Sequence, residues 1–166
     1  MDMFKDRKEA GQLLAKALAK YKNDRVVVLA LPRGGVVVGY EVARALKFPL
    51  DIIVTRKIGH PDNPEYAICA VDEKGLLLCN EAEAKSVDPS WLREEIAGQK
   101  KEAERRVTLY RGKRKMEEIG DKVAIIIDDG IATGLTMRLA VRAIKIQNPK
   151  KIIVAVPVAQ PIHCRC

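Results

Sequence analysis

The sequence predicts an α/β protein built on a buried parallel sheet, on three observations. Val26–Ala30 and Val123–Ile127 are unbroken aliphatic runs, the pattern of strands covered on both faces. Each leads through a short glycine-containing loop into an amphipathic segment, Val36–Leu46 and Leu135–Gln147. Alternation of this kind means parallel pairing with right-handed crossovers. Third, 48% of the 166 residues are apolar and 4% aromatic, so a core is available and must be made of Val, Ile, Leu and Ala. At about 100–200 residues per domain, residues 1–166 are expected to form one domain.

The elements follow in order. Ala10, Leu13, Leu14, Ala17 and Leu18 share one helical face over residues 6–21. The strand Val26–Ala30 runs through Leu31-Pro32-Arg33-Gly34-Gly35 into the helix Val36–Leu46, and Asp51–Thr55 is a second strand. Arg56–Tyr66 holds Gly59, Pro61, Asp62, Asn63 and Pro64, a turn-rich stretch. A hairpin then interrupts the sheet, with strands near Ala67–Val71 and Leu76–Cys79 around Asp72-Glu73-Lys74-Gly75. Pairing Val71 with Leu76 sends the sulfurs of Cys69 and Cys79 to opposite faces, so no bridge is expected and the four cysteines are taken as reduced thiols. Residues 80–87 are read as a linker. Asp88-Pro89 starts a long helix, Asp as cap and Pro in the first turn. Its narrow stripe of Leu92, Ile96, Ala103, Val107 and Tyr110 predicts a helix laid along one side of the sheet, and offers a homodimer contact. Val123–Ile127, Leu135–Gln147 and a last strand, Lys151–Val156, complete the chain.

Charge and targeting narrow the function. Thirty Lys and Arg against 22 Asp and Glu leave a net charge of +8, which favours anionic partners, either nucleic acid or small phosphorylated molecules. No apolar run approaches the roughly 18 residues of a membrane span, and the N-terminus lacks the apolar stretch of a signal peptide. A soluble, cytoplasmic protein with no membrane partner is expected.

The chemistry concentrates in Val123-Ala-Ile-Ile-Ile-Asp128-Asp129-Gly130-Ile131-Ala132-Thr133-Gly134-Leu135-Thr136. A loop that opens a helix at a strand's carboxyl end presents unsatisfied N–H groups and the positive end of the helix dipole. Such a cradle binds phosphate, and Gly130 and Gly134 let the backbone approach it. Thr133 and Thr136 can add hydroxyl hydrogen bonds. Asp128 and Asp129 would repel that phosphate, and make sense facing a ribose diol or a divalent metal. Asp-Asp-Gly alone is a common turn; the whole stretch describes a sugar 5-phosphate site. It is neither a Walker loop nor the dinucleotide fingerprint, since Gly-Lys-Ser/Thr and Gly-x-Gly-x-x-Gly are both absent.

The same segment resembles the phosphoribosyl pyrophosphate (PRPP) motif of type I phosphoribosyltransferases: apolar strand, two acidic residues, then a small-residue loop with Thr-Gly-x-Thr. Leu135 stands where that motif has a smaller residue. Leu31–Gly35, Arg56-Lys57-Ile58-Gly59 and Asn63-Pro64-Glu65-Tyr66-Ala67 resemble one branch of the family, so the likeness runs from about Arg25 to Val158. It implies the type I phosphoribosyltransferase fold, a Rossmann-like parallel sheet flanked by helices, with a β-hairpin and flexible-loop insertion. It implies that Arg33, Gly34 and Gly35 hold pyrophosphate, a task for which a guanidinium fork is suited. Gly130, Ile131, Ala132, Thr133, Gly134 and Thr136 would hold the 5-phosphate. Asp128 and Asp129 would meet the ribose hydroxyls and Mg²⁺, the latter directly or through water. Arg56 and Lys57 would act in catalysis, and Arg56–Tyr66 would be the mobile loop that closes over the reaction. Val158 and Ala159 occupy positions where family members touch the base. Members usually continue for another helix or strand, so the domain is expected to lack its usual C-terminal part.

The expected function is transfer of the 5-phosphoribosyl group from PRPP to an unidentified nitrogen acceptor, a nucleobase being the first candidate, with Mg²⁺. Two alternatives stand beside it: a PRPP-sensing regulatory or RNA-binding protein, and a silent domain that binds phosphate and little else. Arg138, Arg142 and Lys145 form a basic helix face, solvated in one reading and RNA-binding in the other. His60 is either a solvated loop histidine or an acid–base group, Glu65 and Tyr66 are candidate loop contacts, and His163-Cys164-Arg165-Cys166 is a candidate metal ligand set on a terminal tail.

Overall fold

A computed structural model describes residues 4–159, so the His163–Cys166 tail lies outside the described residues. Along the chain the elements are α1 (Arg7–Leu18), a 3-10 turn (Ala19–Tyr21), β1 (Val26–Ala30), α2 (Gly34–Leu46) and β2 (Leu50–Ile52). Then come β3 (Thr55–His60), β4 (Asn63–Asp72), β5 (Leu77–Cys79), α3 (Glu81–Ser86) and α4 (Pro89–Arg111). The last are β6 (Val123–Ile127), α5 (Leu135–Lys145) and β7 (Lys151–Ala155). They fall into two compact units.

The first unit takes in Met1–Ile53, Met116–Ala132 and Ile144–Cys166. Its sheet has the order β2-β1-β6-β7, every neighbour parallel. All five residues of β1 and of β6 are buried, as their unbroken aliphatic runs require; each buried Val, Leu or Ile side chain contributes about 1.5–3 kcal/mol of hydrophobic stabilisation. In register Val26 faces Val123 and Ala30 faces Ile127, so β1 and β6 end level and their loops leave side by side. The helices α1 and α2 cross at Gly11, where a Cβ would stand 2.7 Å from Glu41 Cβ and 2.9 Å from the Val38 carbonyl oxygen. The buried Glu41 accepts a hydrogen bond from Arg44 at 2.7 Å, which holds its carboxyl below the ordinary range. Asp6 starts α1 by accepting from the Glu9 amide at 2.8 Å, the cap expected of Asp.

The second unit comprises Val54–Lys115 and Thr133–Ala143, and here the sequence reading needs correcting. The stretch Arg56–Tyr66 is not an irregular loop. It forms most of β3 and the start of β4, paired antiparallel. Of the residues that suggested turns, Pro61 and Asp62 do form the turn between the two strands, whereas Gly59 and Pro64 lie at a register shift. Gly59 adjoins it, and a side chain there would overlap the Pro64 carbonyl. The strand read as Asp51–Thr55 is likewise two elements, β2 and the first residue of β3. The antiparallel sheet β3-β4-β5 is separate from the parallel one.

The hairpin register also differs. Val71 faces Leu77, so Cys69 faces Cys79, and the two form a disulfide. One carboxylate oxygen of Asp72 accepts from the amides of Lys74 at 2.9 Å and Leu76 at 2.7 Å, and Gly75 takes φ +86°. That turn absorbs one residue more than the expected one, and a one-residue slip turns every side chain to the other face. The supposed linker is helix α3, capped by Asn80, which accepts from the Ala82 amide at 3.2 Å. Helix α4 begins at the predicted cap, Asp88 accepting from the Trp91 amide at 2.8 Å. It covers this antiparallel sheet: Trp91, Leu92 and Ile96 pack on Ile58, Ile68 and Val71. Leu135 and Leu139 of α5 pack against Ala67 and Ala70.

Candidate active site

Within the first unit, two loops meet at the carboxyl ends of β1 and β6, where ligands of open α/β sheets collect. The Leu31 amide donates to the Ile127 carbonyl at 2.9 Å, which ties the loops where they leave the sheet. Arg33 stands at the N-cap of α2 and the Pro32–Arg33 peptide is cis. Gly34 lies so close to Asp129 that a Cβ would overlap its carboxylate. At Gly35 a Cβ would stand 2.8 Å from both Asp128 Cα and the Ile127 carbonyl oxygen. At Gly35 the obstacle is backbone, so only glycine fits there; at Gly34 it is a side chain that would have to move. The Gly34–Gly35 turn and the Asp128–Asp129 pair therefore lie in direct contact.

The two carboxylates differ. Asp128 accepts from the Asp129 amide at 2.8 Å. Burial, then a side-chain hydrogen bond and the charge of Asp129, outweigh that amide and push its carboxyl up to about 7. Asp129 instead meets Arg7 at the start of α1: Nε lies 2.8 Å and Nη2 2.7 Å from the same oxygen, Oδ2. Arg33 is exposed; its carbonyl accepts from the Val36 amide at 3.2 Å, and its guanidinium has no hydrogen-bond or ion-pair partner among the described residues. Beyond the acidic pair, the Ile131 amide donates to the Val158 carbonyl at 3.1 Å and Ile131 bridges to Ala159. The loop after β6 is thus fastened to the segment after β7. A cavity of about 210 Å³ opens beside Asp129. Phe4, Ala10, Pro157 and Val158 form its walls, with Asp6, Arg7 and Asp129 as the polar groups.

The family model for the phosphoribosyl transferase domain matches residues 2–163. The chain belongs to the phosphoribosyltransferase domain family. "Putative phosphoribosyl transferase Rv0571c" of Mycobacterium tuberculosis is 38% identical over 160 residues, 95% of this chain. The chain spans 36% of that relative's length. TT1426 from Thermus thermophilus is 43% identical with a TM-score of 0.76, covering 95% of this chain and 76% of that one. A purine phosphoribosyltransferase from Pyrococcus horikoshii shares the fold at 17% identity and TM-score 0.56, covering 96% of this chain and 76% of that one.

The remaining residues predicted for a phosphoribosyltransferase site are distributed as follows. Gly130, Ile131 and Ala132 belong to the first unit, whereas Thr133, Gly134 and Thr136 belong to the second. Gly134 takes φ +76°, a conformation costly for other residues, and its carbonyl accepts from the Arg138 amide at 2.8 Å. The Thr133 and Thr136 hydroxyls have no hydrogen-bond partner among the described residues. Arg56 and Lys57 lie in the second unit. Arg56 donates to Gln99 on α4 at 2.9 Å, with burial pulling its pKa down. Lys57 pairs with the exposed Glu65 at 2.7 Å. His60 accepts the Asp62 amide at 3.2 Å, Tyr66 donates to Glu83 at 3.0 Å, and Arg138, Arg142 and Lys145 are exposed. Sequence reasoning missed Arg7 and Phe4. Arg7 lies 122 positions from its partner, so no local pattern signals it. Among the described residues no cluster of three His, Cys, Asp or Glu is arranged to hold a metal. No helix among them is long and apolar enough to cross a membrane.

Proposed function

We propose that the chain carries a phosphoribosyltransferase site that moves the 5-phosphoribosyl group of PRPP onto a nitrogen nucleophile, a nucleobase being the leading class, with release of pyrophosphate. The observation that carries this reading is the contact of the Gly34–Gly35 backbone with the Asp128–Asp129 pair. In this reading the Gly34–Gly35 turn is the phosphate-binding turn, and it lies beside two carboxylates suited to a diol.

In this reading Asp128 and Asp129 hold the ribose hydroxyls and steady the positive charge that develops at the anomeric carbon. The 5-phosphate rests on the main chain from Gly130 to Gly134 and on Thr133 and Thr136; Ile131, whose amide serves Val158, contributes position rather than a donor. Arg33 and the amides of Gly34 and Gly35 receive pyrophosphate. Arg56 and Lys57 are assigned to its developing charge on the family resemblance alone. The work is positioning plus electrostatics. Two adjacent carboxylates, with no third ligand grouped beside them among the described residues, fit a Mg²⁺ ion that takes most of its ligands from phosphates and water. When bound, that ion would neutralise pyrophosphate; Asp128 and Asp129 would hold it directly or through water.

The test is D128N/D129N. Pyrophosphate release from PRPP is expected to vanish while circular dichroism stays as in the wild type. Release at the wild-type rate removes the assignment.

A second reading, a PRPP-responsive RNA-binding protein, is favoured by the exposed Arg138, Arg142 and Lys145 on α5 and is tested by charge below.

A further inference from the structure

We propose that Arg7 is a positioning residue for the transfer: from the first turn of α1 it fixes the Asp129 carboxylate in the orientation that meets the ribose hydroxyls. The proposal rests on the phosphoribosyltransferase reading and deepens it. Its ground is the clamp that the starts of two helices make around one carboxylate oxygen.

An aspartate side chain turns about two bonds, and the chain neighbours of Asp129, Asp128 and Gly130, bring no cation to hold it. Two distant elements do the holding. Gly34, in the first turn of α2, lies so close that a Cβ there would overlap Oδ2. Arg7 reaches the same oxygen from α1, with Nε at 2.8 Å and Nη2 at 2.7 Å. Both bonds end on Oδ2 and neither on Oδ1. Among the described residues no other cation is bonded to either carboxylate of the pair. A guanidinium suits this task, because its donors lie in one rigid plane and two of them fix a direction as well as a distance.

The base of Arg7 is held in turn. Asp6 caps α1 by accepting from the Glu9 amide at 2.8 Å. Glu9 Oε2 reaches back to accept from the Lys5 amide at 2.6 Å, an arrangement close to a capping box. Further along α1, Ala15 and Leu18 are buried in one core with Val38 and Val42 of α2. Arg7 therefore projects from a fixed helix end.

Folding stability does not account for the pair. The Arg7 side chain is 60% exposed and that of Asp129 31%, and an ion pair so open adds little. Charge preorganised at a reacting centre counts for far more, since a group misplaced by about 1 Å can cost on the order of a hundredfold in rate.

The full chain is tested with PRPP and Mg²⁺, a mixture of free purine and pyrimidine bases serving as acceptors. Wild-type protein that binds no PRPP in calorimetry, or releases no pyrophosphate, overturns the phosphoribosyltransferase reading and this proposal with it. With both established, Arg7→Met is expected to lower kcat at least tenfold, while the KM and the calorimetric Kd for PRPP stay within threefold. The turns assigned to the phosphates carry ground-state binding, whereas a group used mainly in the transition state shows in kcat. Arg7→Lys keeps the charge without the planar fork, and is expected to regain at least threefold of the lost rate. Both variants should melt with the wild type. An unchanged kcat in Arg7→Met overturns the proposal, as does absence of recovery in Arg7→Lys. A KM or Kd raised more than threefold would mean that Arg7 touches PRPP itself, and a melting temperature that falls in step with the rate would mean a structural role; either result overturns it equally.

Discussion

Asp128 stands where burial and the adjacent Asp129 both disfavour its charge, and its carboxyl is pushed up to about 7. An unfolded Asp titrates near 4, so the fold prefers the protonated form. Its stabilising contribution is fully present below about pH 4 and is lost as pH rises through 7. The carboxyl carbon shift of Asp128 in the ligand-free protein is expected to titrate near 7, and lower in D129N, where the neighbouring charge is gone while burial and the residue-129 amide remain. A midpoint near 4 in the wild type would refute this. The two glycines beside the pair should respond differently. A methyl at Gly35 meets backbone, so Gly35→Ala is expected to cost about 1–3 kcal/mol in denaturant unfolding. At Gly34 it meets the movable Asp129 carboxylate, so Gly34→Ala should cost less stability and still weaken PRPP binding at least tenfold. Equal stability losses in the two variants would count against this packing. The sequence drew attention to these residues because the Asp-Asp-Gly turn follows a buried strand and continues into a small-residue loop with Thr-Gly-x-Thr. Arg7 was not legible there, since it acts through a partner far along the chain.

At the scale of elements, β1, β6 and the start of α4 match the expectation. Unbroken aliphatic runs and an Asp-Pro cap are signals of the local chain. The failures share a different cause. The register of β4 against β5 is decided by how many residues the Asp72 turn absorbs, and β3 hides behind a glycine that serves a close strand approach rather than a loop. The slip matters because it joins Cys69 to Cys79. A cross-link closing so short a loop is worth about 2–4 kcal/mol in the chain-entropy account. Dithiothreitol, or Cys69→Ala with Cys79→Ala, is therefore expected to lower the melting temperature. Identical melting curves in reduced and oxidised samples would show the bond to be absent.

For the whole molecule, the net charge of +8 acts on any polyanion, and PRPP and RNA are separated by how they respond to salt. Binding to RNA through Arg138, Arg142 and Lys145 would release counterions and weaken steeply between 50 and 200 mM salt, about tenfold or more for three phosphate contacts. The phosphoribosyltransferase reading expects no retention of an RNA oligomer on a filter at 150 mM salt, with PRPP still bound. Tight RNA binding that PRPP reverses would favour the sensor instead. The parallel sheet carries one more consequence. The strand Val26–Ala30 is apolar throughout and finds β2 soon after it, yet its other neighbour, Val123–Ile127, is made last but one of all the strands. Until the ribosome has delivered it, a long sticky edge waits uncovered and open to aggregation. Slower synthesis in the cold, or a chaperone supplied alongside, is accordingly the route to good yields of this chain.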